Sequence, residues 1–220
     1  MDASEVTKAG VIDVVICGGG LAGLTLARQL RRNMPELSVV VLERTSRPLP
    51  DAGHKVGESS VELASQYFES LGLREYLLEN HLFKHGLRFF PGGGHLPLEK
   101  RTEIGPAQEP VVPSYQLDRG RLENDLRAFV EEDGATLVEG AKVTRIDLGS
   151  DGADHTIVYA KDDAEHTLVA RWVVDATGRS AIIRRDQKIT RGTHHDAHSG
   201  WYRVKGKVDI TSFVPESDRM

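Results

Sequence analysis

Residues 11–43 read VIDVVICGGGLAGLTLARQLRRNMPELSVVVLE. The run 11–17 is short, rich in β-branched residues and followed by glycines, which is typical of a buried parallel strand. Apolar residues then recur at helical spacing over residues 21–30, and a second apolar run, residues 37–43, predicts a strand that ends at Glu43. Strand, glycine turn, helix, strand and acid in this order indicate a βαβ dinucleotide-binding unit.

Each residue of the glycine turn has a physical role in such a unit. Gly18 allows the tight turn, Gly20 lets the backbone approach a pyrophosphate without a Cβ in the way, and Gly23 lets helix and strand pack closely. The first N–H groups of the helix, at Leu21 and Ala22, have no intrahelical acceptor and are expected to face the phosphates.

The acid that ends the second strand completes the unit. Glu43 follows Gly23 by twenty residues and is placed to accept hydrogen bonds from the hydroxyls of an adenosine ribose. The alternative is a glycine turn that binds nothing. The agreement of both strands, the helix and the acid favours the binding interpretation.

Composition and charge exclude several classes of function. The chain has 220 residues, of which 39% are hydrophobic and 28% charged, so it can bury a core. Its formal net charge of −5 gives no electrostatic footprint for nucleic acid or an anionic membrane. The single cysteine, Cys17, forms no internal disulfide and builds no thiolate metal cluster, and we expect it to be a buried thiol.

The compartment follows from what the sequence lacks. Residues 1–5 are acidic and without an apolar core, which argues against a signal peptide. No apolar run approaches the length of a membrane span. We therefore expect a soluble protein of a reducing compartment, the cytoplasm.

A second helix is expected after residue 60. Ser59 and Glu62 form a capping-box pattern before a helix that should end at Gly72. A helix N-terminus after Gly57 is a second place where backbone N–H groups could meet a ligand. An ordinary helix cap explains the same spacing equally well.

The middle of the chain predicts extended segments and another helix. Residues 86–90 and 95–98 read as extended segments around a glycine loop, and residues 115–117 as a short extended segment. Asp118 is a candidate cap for a helix over residues 121–132.

Three strand-like runs follow: residues 136–139 joined to residues 142–148, then residues 156–161 and residues 167–174. The turns between them suggest an antiparallel β-meander. The last run leads into Asp175-Ala176-Thr177-Gly178.

This arrangement resembles the FAD-binding domain of the two-domain flavoprotein monooxygenases of the p-hydroxybenzoate hydroxylase type. The glycine turn, Glu43-Arg44 and the Asp175–Gly178 segment carry the resemblance. It implies an α/β, Rossmann-like FAD-binding domain with a β-meander, whose last strand returns to the nucleotide-binding sheet. It also implies that Asp175 and Gly178 border the flavin side of FAD and that Arg44 lies at the cofactor.

Within that class, further segments are similar to the flavin-dependent halogenases. Residues 55–60, KVGESS, resemble the family loop that lies against the cofactor, which implies that Gly57, Glu58 and Ser59 contact FAD. Residues 83–89, FKHGLRF, resemble the segment that holds the active-site lysine, which makes Lys84 the candidate catalytic residue.

A third segment, residues 115–119, also fits a family pattern before the next helix. By analogy, Arg119 reaches the cofactor.

The resemblance also implies a chemistry. Reduced flavin reacts with oxygen, and in a halogenase a halide is then oxidised. A lysine ammonium next hydrogen-bonds or captures the hypohalous species beside an aromatic ring. A solvated lysine at the start of a strand is the alternative for Lys84.

The resemblance predicts how the chain is divided. We expect an FAD-binding domain over residues 1–180, with residues 85–117 contributing to a substrate sheet, and the incomplete start of a substrate-binding β-sheet domain over residues 181–220. The family's later tryptophan signature and second cofactor motif do not occur in these residues. We therefore expect the N-terminal portion of a larger flavoprotein, or one half of a split one. The expected partners are a small-molecule substrate, and a flavin reductase or the remaining part of the same enzyme.

Two other functions remain open. One is a hydroxylase or reductase that uses FAD without halide chemistry, and the other is a non-catalytic nucleotide-binding half of a split flavoprotein. The histidines of residues 194–198 could ligate a metal, but their polar, glycine-rich surroundings favour a solvated loop, and no metal is expected.

Overall fold

The computed structural model describes residues 10–53, 55, 58–106, 108, 111–193, 195–198, 200–202, 205–206 and 209–213. They divide into two compact units. The first contains the described residues of Met1–Lys84 and Val112–Thr190, and the second those of His85–Val111 and Arg191–Met220.

The first unit is built on a six-stranded sheet in the order β5-β2-β1-β8-β7-β6, with β3 and β4 paired in a separate two-stranded sheet. Strands β5, β2, β1 and β8 run parallel, whereas β8, β7 and β6 are antiparallel. The strands are β1 Val11–Cys17, β2 Val39–Glu43, β3 Leu82–Lys84, β4 Ser114–Gln116, β5 Thr136–Glu139, β6 Lys142–Asp147, β7 His155–Lys161 and β8 Ala164–Asp175.

Helices connect these strands. They are α1 Leu21–Asn33, α2 Glu62–Ser70, α3 Arg74–Asn80, α4 Arg119–Glu132 and α5 Ile182–Asp186. The βαβ prediction is confirmed, because α1 joins two strands that pair in parallel. The α/β, Rossmann-like fold class is confirmed with it.

One long strand, β8, joins the parallel and antiparallel parts of the sheet. Its residues 164–170 pair with β7, and its residues 169–175 pair with β1 in parallel. The return of the last strand to the nucleotide-binding sheet is therefore confirmed. The register sets Asp175 opposite Cys17, so the Asp175–Gly178 segment lies beside the start of the glycine turn.

The predicted run 136–148 is not one strand of the meander. Gly140, at φ +72°, separates β5, which pairs in parallel with β2, from β6, which pairs antiparallel with β7. The meander consists of β6, β7 and β8, and β5 is an edge strand of the parallel part.

Side chains of β2 show how the core is divided. Val39 and Val41 pack in the apolar cluster that contains α1 and α4, whereas Val40 and Leu42 pack in the cluster that contains the meander strands. Successive side chains of a strand point to opposite faces, so a strand buried on both faces reads as a continuous apolar run.

Helix starts differ from the predictions. Helix α2 begins at Glu62 with Val61 as N-cap and no side-chain cap, while Ser59 forms an isolated antiparallel bridge with Gln116. The capping-box prediction was wrong because the bridge holds Ser59 in an extended segment, two residues before the N-cap of the helix. Asp118 does lie at the N-cap of α4, but without a side-chain cap, and the helix starts at Arg119 rather than at residue 121. Helix α3 was not predicted.

The second unit has little regular structure among its described residues. Neither predicted extended segment, 86–90 or 95–98, forms a strand; Phe89 instead makes a two-way backbone bridge with Ile104. Gly92, Gly93 and Gly94 all have positive φ, so the chain turns away before residue 95.

The described residues include no helix with both the length and the apolar character needed to cross a bilayer.

Candidate functional site: a cavity at the glycine turn

The glycine turn, residues 18–23, is tightly packed at Gly18, Gly19 and Gly23 and open at Gly20. A Cβ on Gly19 would lie 2.7 Å from the Glu43 Cβ. A Cβ on Gly18 would lie 2.3 Å from the Ala176 carbonyl oxygen, and one on Gly23 would lie 1.9 Å from the Gly18 oxygen. The protein itself therefore requires glycine at both positions. A Cβ on Gly20 would meet nothing within 4 Å, although Gly20 is the N-cap of α1. The fold leaves this position free for a ligand to approach the helix N-terminus.

A cavity of about 360 Å³ opens beside this turn. It lies at the carboxyl ends of β1, β2 and β8, the edge of an open parallel sheet where ligands bind. Five of the predicted site residues line it together: Gly18, Gly20, Glu43, Arg44 and Gly178.

Glu43 is held in a fixed orientation at this cavity. Its side chain is buried, and Oε2 accepts a hydrogen bond of 2.7 Å from the Gly19 N–H. Oε1 accepts from the backbone N–H of Thr45 at 2.8 Å and from its hydroxyl at 2.6 Å. A carboxylate offers about four acceptor positions, so one remains for a ligand.

The segment after β8 closes another side of the cavity. Asp175 Oδ1 accepts hydrogen bonds from the N–H and hydroxyl of Thr177, and Oδ2 accepts from the Ile183 N–H. Asp175 therefore shapes the turn, whereas Ala176, Thr177 and Gly178 line the cavity. Gly178 has φ +63° and open space at its Cβ position.

Sequence reasoning missed a set of charged residues in the cavity wall. Glu123 is 1% exposed and accepts hydrogen bonds from Arg119, which stands four residues before it on α4, and from Lys55. Arg127, one turn further along the helix, is also 1% exposed. Three of these residues line the cavity: Glu123, Arg127 and Lys55. Arg119 does not line it but donates a hydrogen bond to Glu123.

A sequence signal for this charged row existed. Arg119, Glu123 and Arg127 recur every four residues, which places them on one face of a helix. Leu122 and Leu126 stand directly before two of them and are fully buried. A charged face that adjoins the buried apolar face of the helix indicates a partly buried polar site. It does not indicate a face exposed to solvent.

An ion-pair network lies behind Arg127. Arg127 Nη1 is 2.5 Å from Glu139 Oε1, and Arg47 Nε is 2.9 Å from Glu139 Oε2. Partial burial would raise the pKa of Glu139, but the hydrogen bonds from Arg47 and Arg127 outweigh it and hold that pKa below its usual value. Glu131 also pairs with Arg47, at 2.8 Å, and holds the pKa of that guanidinium above its usual range.

The candidate catalytic residue lies in a separate cluster. Lys84, at the end of β3, is 7% exposed, and its Nζ donates a 2.9 Å hydrogen bond to the Ser60 carbonyl. The Ser60 hydroxyl accepts from the Tyr115 N–H at 2.7 Å and lies 3.0 Å from the Ser65 hydroxyl. We call Lys84, Ser60, Ser65 and Tyr115 the lysine cluster. Lys84 is thus not the solvated lysine of the alternative interpretation.

The remaining predicted residues surround these two places. Leu21, Ala22 and Gly23 form the first turn of α1. Ser59 bridges to Gln116, and the Glu58 carbonyl accepts from the Leu117 N–H, so both stand in the chain beside Ser60. Gly57 lies outside the described residues. Within the described part of the chain, no group of histidine, cysteine and acidic residues could hold a metal ion.

The residues present fit FAD. The open Cβ position at Gly20 and the helix N-terminus suit a diphosphate, and the remaining acceptor of Glu43 suits a ribose hydroxyl. Arg44, Lys55 and Lys142 bring positive charge to the wall, which suits an anionic ligand.

Comparison with known proteins extends this result. A family model described as an FAD binding domain matches residues 11–220. The flavin-dependent halogenase chlA of Dictyostelium discoideum is 33% identical over 225 residues, which cover 88% of this chain and 36% of the relative. The aklavinone 12-hydroxylase DnrF of Streptomyces peucetius subsp. caesius is 27% identical over 216 residues, which cover 93% of this chain and 43% of the relative. The chain thus spans less than half the length of these relatives.

Solved structures give the same fold. A triple variant of the flavin-dependent brominase Bmp2 superposes with a TM-score of 0.64 at 25% identity, over 80% of this chain and 41% of the brominase. The halogenase PltM in complex with phloroglucinol and FAD superposes with a TM-score of 0.62 at 18% identity, over 80% of this chain and 36% of PltM. The chain therefore belongs to the FAD binding domain family, and its cofactor is FAD.

Proposed function

We propose that this chain is the FAD-binding part of an oxidoreductase that uses reduced flavin and oxygen to halogenate an aromatic or otherwise electron-rich small molecule. The observation that carries the proposal is the joint arrangement of the open Gly20 position and the oriented Glu43 carboxylate at one cavity. The similarity to the halogenase chlA and the brominase Bmp2 favours a halide as co-substrate.

The residues of the chain have distinct roles in this proposal. The N–H groups at the start of α1 bind the diphosphate of FAD, Glu43 binds the adenosine ribose, and Arg44 lies beside it. Arg119 forms an ion pair with Glu123 in the cavity wall and adds its positive charge there. When bound, reduced FAD supplies the reaction with oxygen.

The segment 57–59 is the second contact with FAD in this proposal, and Asp175 holds the turn that brings Gly178 to the flavin side. Ser60 follows that segment directly, and its carbonyl binds the Lys84 ammonium. Lys84 is thus a buried cation beside this segment, and we assign it as the donor of a hydrogen bond to an oxidised halide.

We further propose the following division of the chain. Residues 1–180 form the FAD-binding domain, residues 85–117 contribute to a substrate sheet, and residues 181–220 begin the substrate domain. The partners are a small-molecule substrate and either a flavin reductase or further chain of the same enzyme. The cytoplasm is the proposed location, because reduced flavin and a free thiol both suit a reducing compartment.

The test supplies chemically reduced FAD, oxygen, and chloride or bromide, with a phenol and a pyrrole as electron-rich probes. We expect halide-dependent halogenated product from the wild-type chain assayed together with the further chain of the same enzyme. Lys84→Met should abolish this product while leaving FAD binding intact. Lys161→Met is the matched control, because Lys161 also donates to a backbone carbonyl, that of Glu139, but does not line the cavity.

The competing function is hydroxylation without halide. The aklavinone 12-hydroxylase DnrF, named as a hydroxylase, is the observation that favours it. Oxygenated product that is independent of halide and survives Lys84→Met would establish it. A protein that binds FAD but yields neither product would instead be the non-catalytic half.

A further inference from the structure

A chain of hydrogen bonds runs from helix α4 to the glycine turn through Glu43. Arg127 donates from Nη1 to the Thr45 carbonyl at 3.1 Å and from Nη2 to the Thr45 hydroxyl at 3.2 Å. Thr45 donates its hydroxyl and its N–H to Glu43 Oε1, and Gly19 donates its N–H to Glu43 Oε2. Four residues therefore share one connected network.

The direction of each hydrogen bond in this network is fixed. Arginine is always protonated and has no acceptor, so the Thr45 hydroxyl must accept from Arg127. That hydroxyl has one proton, which is directed to Glu43 Oε1 at 2.6 Å. The arrangement allows no alternative orientation of the threonine rotor while Arg127 stays in place.

The network also limits what Glu43 can bind. Two of its acceptor positions, on Oε1, are used by Thr45, and one, on Oε2, is used by Gly19. The one position left is on Oε2. Glu43 can therefore accept from one ribose hydroxyl and not from both.

Arg127 orients Glu43 without neutralising it. Its direct charge partner is Glu139, whereas only the neutral Thr45 stands between Arg127 and Glu43. The contact between Arg127 and Glu43 is therefore indirect.

We infer that Thr45 and Arg127 are positioning residues that aim Glu43 Oε2 at a single hydroxyl of the adenosine ribose. The inference rests on the proposed binding of that ribose by Glu43. It adds two residues to the nucleotide site and makes the ribose contact dependent on helix α4.

The test measures dissociation constants by calorimetry for FAD, ADP, 2′-deoxy-ADP and 3′-deoxy-ADP. Thr45→Val removes the hydroxyl but keeps the shape of the side chain. We expect it to weaken the binding of FAD and ADP about five- to tenfold, the size of one ordinary hydrogen bond, because Glu43 loses one of the donors that orient it. For the one analogue that lacks the hydroxyl bound by Glu43, the weakening should shrink to less than about twofold.

Three further variants separate positioning from a general effect on structure. Thr45→Ser restores the hydroxyl and should bind ADP within about twofold of wild type. Arg127→Lys keeps the charge beside Glu139 but cannot donate to both Thr45 oxygens. It should weaken ADP binding less than Thr45→Val does, and the weakening should again shrink for the same deoxy analogue. Thr144→Val is the matched control, because Thr144 bonds the Val158 carbonyl and does not line the cavity.

Each outcome decides the inference. If Thr45→Val weakens all the nucleotides equally, its role is structural and the inference is wrong. If both deoxy analogues relieve the loss equally, the single-hydroxyl assignment is wrong. If the wild-type protein binds neither FAD nor ADP, the proposed nucleotide role of Glu43 fails together with the inference, and this result is distinct from the other two.

Discussion

The glycine turn and the lysine cluster use their polar groups in opposite ways. At the glycine turn, Glu43 keeps one acceptor and Gly20 keeps open space, both at the wall of a cavity. In the lysine cluster, Lys84 is buried and donates to Ser60, whose hydroxyl is in turn bonded to Tyr115 and Ser65. The first region is arranged to receive a ligand, whereas the second is arranged around its own main chain.

The difference has a structural reason. The turn stands at the carboxyl end of a parallel sheet, where neighbouring strands fix the backbone and the first N–H groups of α1 have no intrahelical acceptor. Lys84 stands on a sheet of two strands with three residues each, where side chains must complete the hydrogen bonding.

The strongest test of the contrast is a pair of glycine substitutions. Gly23→Ala would place a Cβ 1.9 Å from the Gly18 carbonyl oxygen, so we expect a loss of about 3 kcal/mol or more in the free energy of unfolding. Gly20→Ala meets no protein atom within 4 Å and should leave that free energy unchanged, but weaken FAD binding. Urea unfolding and FAD titration separate the two effects. Equal destabilisation by both substitutions would contradict the open position at Gly20.

Substitution in the lysine cluster should have a smaller effect on stability. Lys84→Met removes the donor to the Ser60 carbonyl in a buried site, so we expect a loss of about 1–2 kcal/mol. Lys161→Met removes a similar bond from a half-buried site, where water can replace the donor, and should cost less than about 1 kcal/mol. Urea unfolding of both variants measures this difference. An unchanged unfolding midpoint for Lys84→Met would mean that the ammonium does not stabilise the cluster.

Acid should weaken the support behind the glycine turn. The pKa of Glu139 is held below its usual value of 4.5 in the folded protein, so its stabilisation is complete above that value and is lost as the pH falls through the lowered pKa. Glu139→Gln should be less stable than wild type at pH 7 by up to about 1 kcal/mol, and this difference should vanish in acid. Unfolding midpoints from pH 7 to pH 3 measure it. A difference that grows in acid would reverse the assigned sign.

The smallest effect concerns Cys17, the last residue of β1, directly before the glycine turn. Burial, and then the nearby Asp175 carboxylate, raise the pKa of the Cys17 thiol to about 12. The thiol should therefore react with a disulfide reagent at pH 8 only as fast as the protein unfolds. Because Cys17 is the single cysteine, the absorbance of the released thiolate reports this site alone. Rapid labelling of the native protein would show that β1 opens locally.

Sequence patterns were informative where one local rule determined the structure. Residues 11–43 predicted β1, the glycine turn, α1, β2 and Glu43, because strand burial, helical periodicity and backbone space at glycine each leave a mark on the sequence. They failed where a distant partner decided. The bridge between Ser59 and Gln116 displaced the expected helix cap, and the pairing of β5 with β2 divided the run 136–148.

The sequence by itself determined the βαβ unit and named five of the residues that line the cavity beside the glycine turn, and the family resemblance of its motifs predicted FAD. Only the tertiary structure decided that Glu123 and Arg127 enter the cavity wall, that Thr45 orients Glu43, and that Lys84 is buried against Ser60. The reason is the range of the interactions. A turn or a helix face is specified by residues a few positions apart, whereas the contacts of Arg127 with Thr45 and of Lys84 with Ser60 join residues 82 and 24 positions apart.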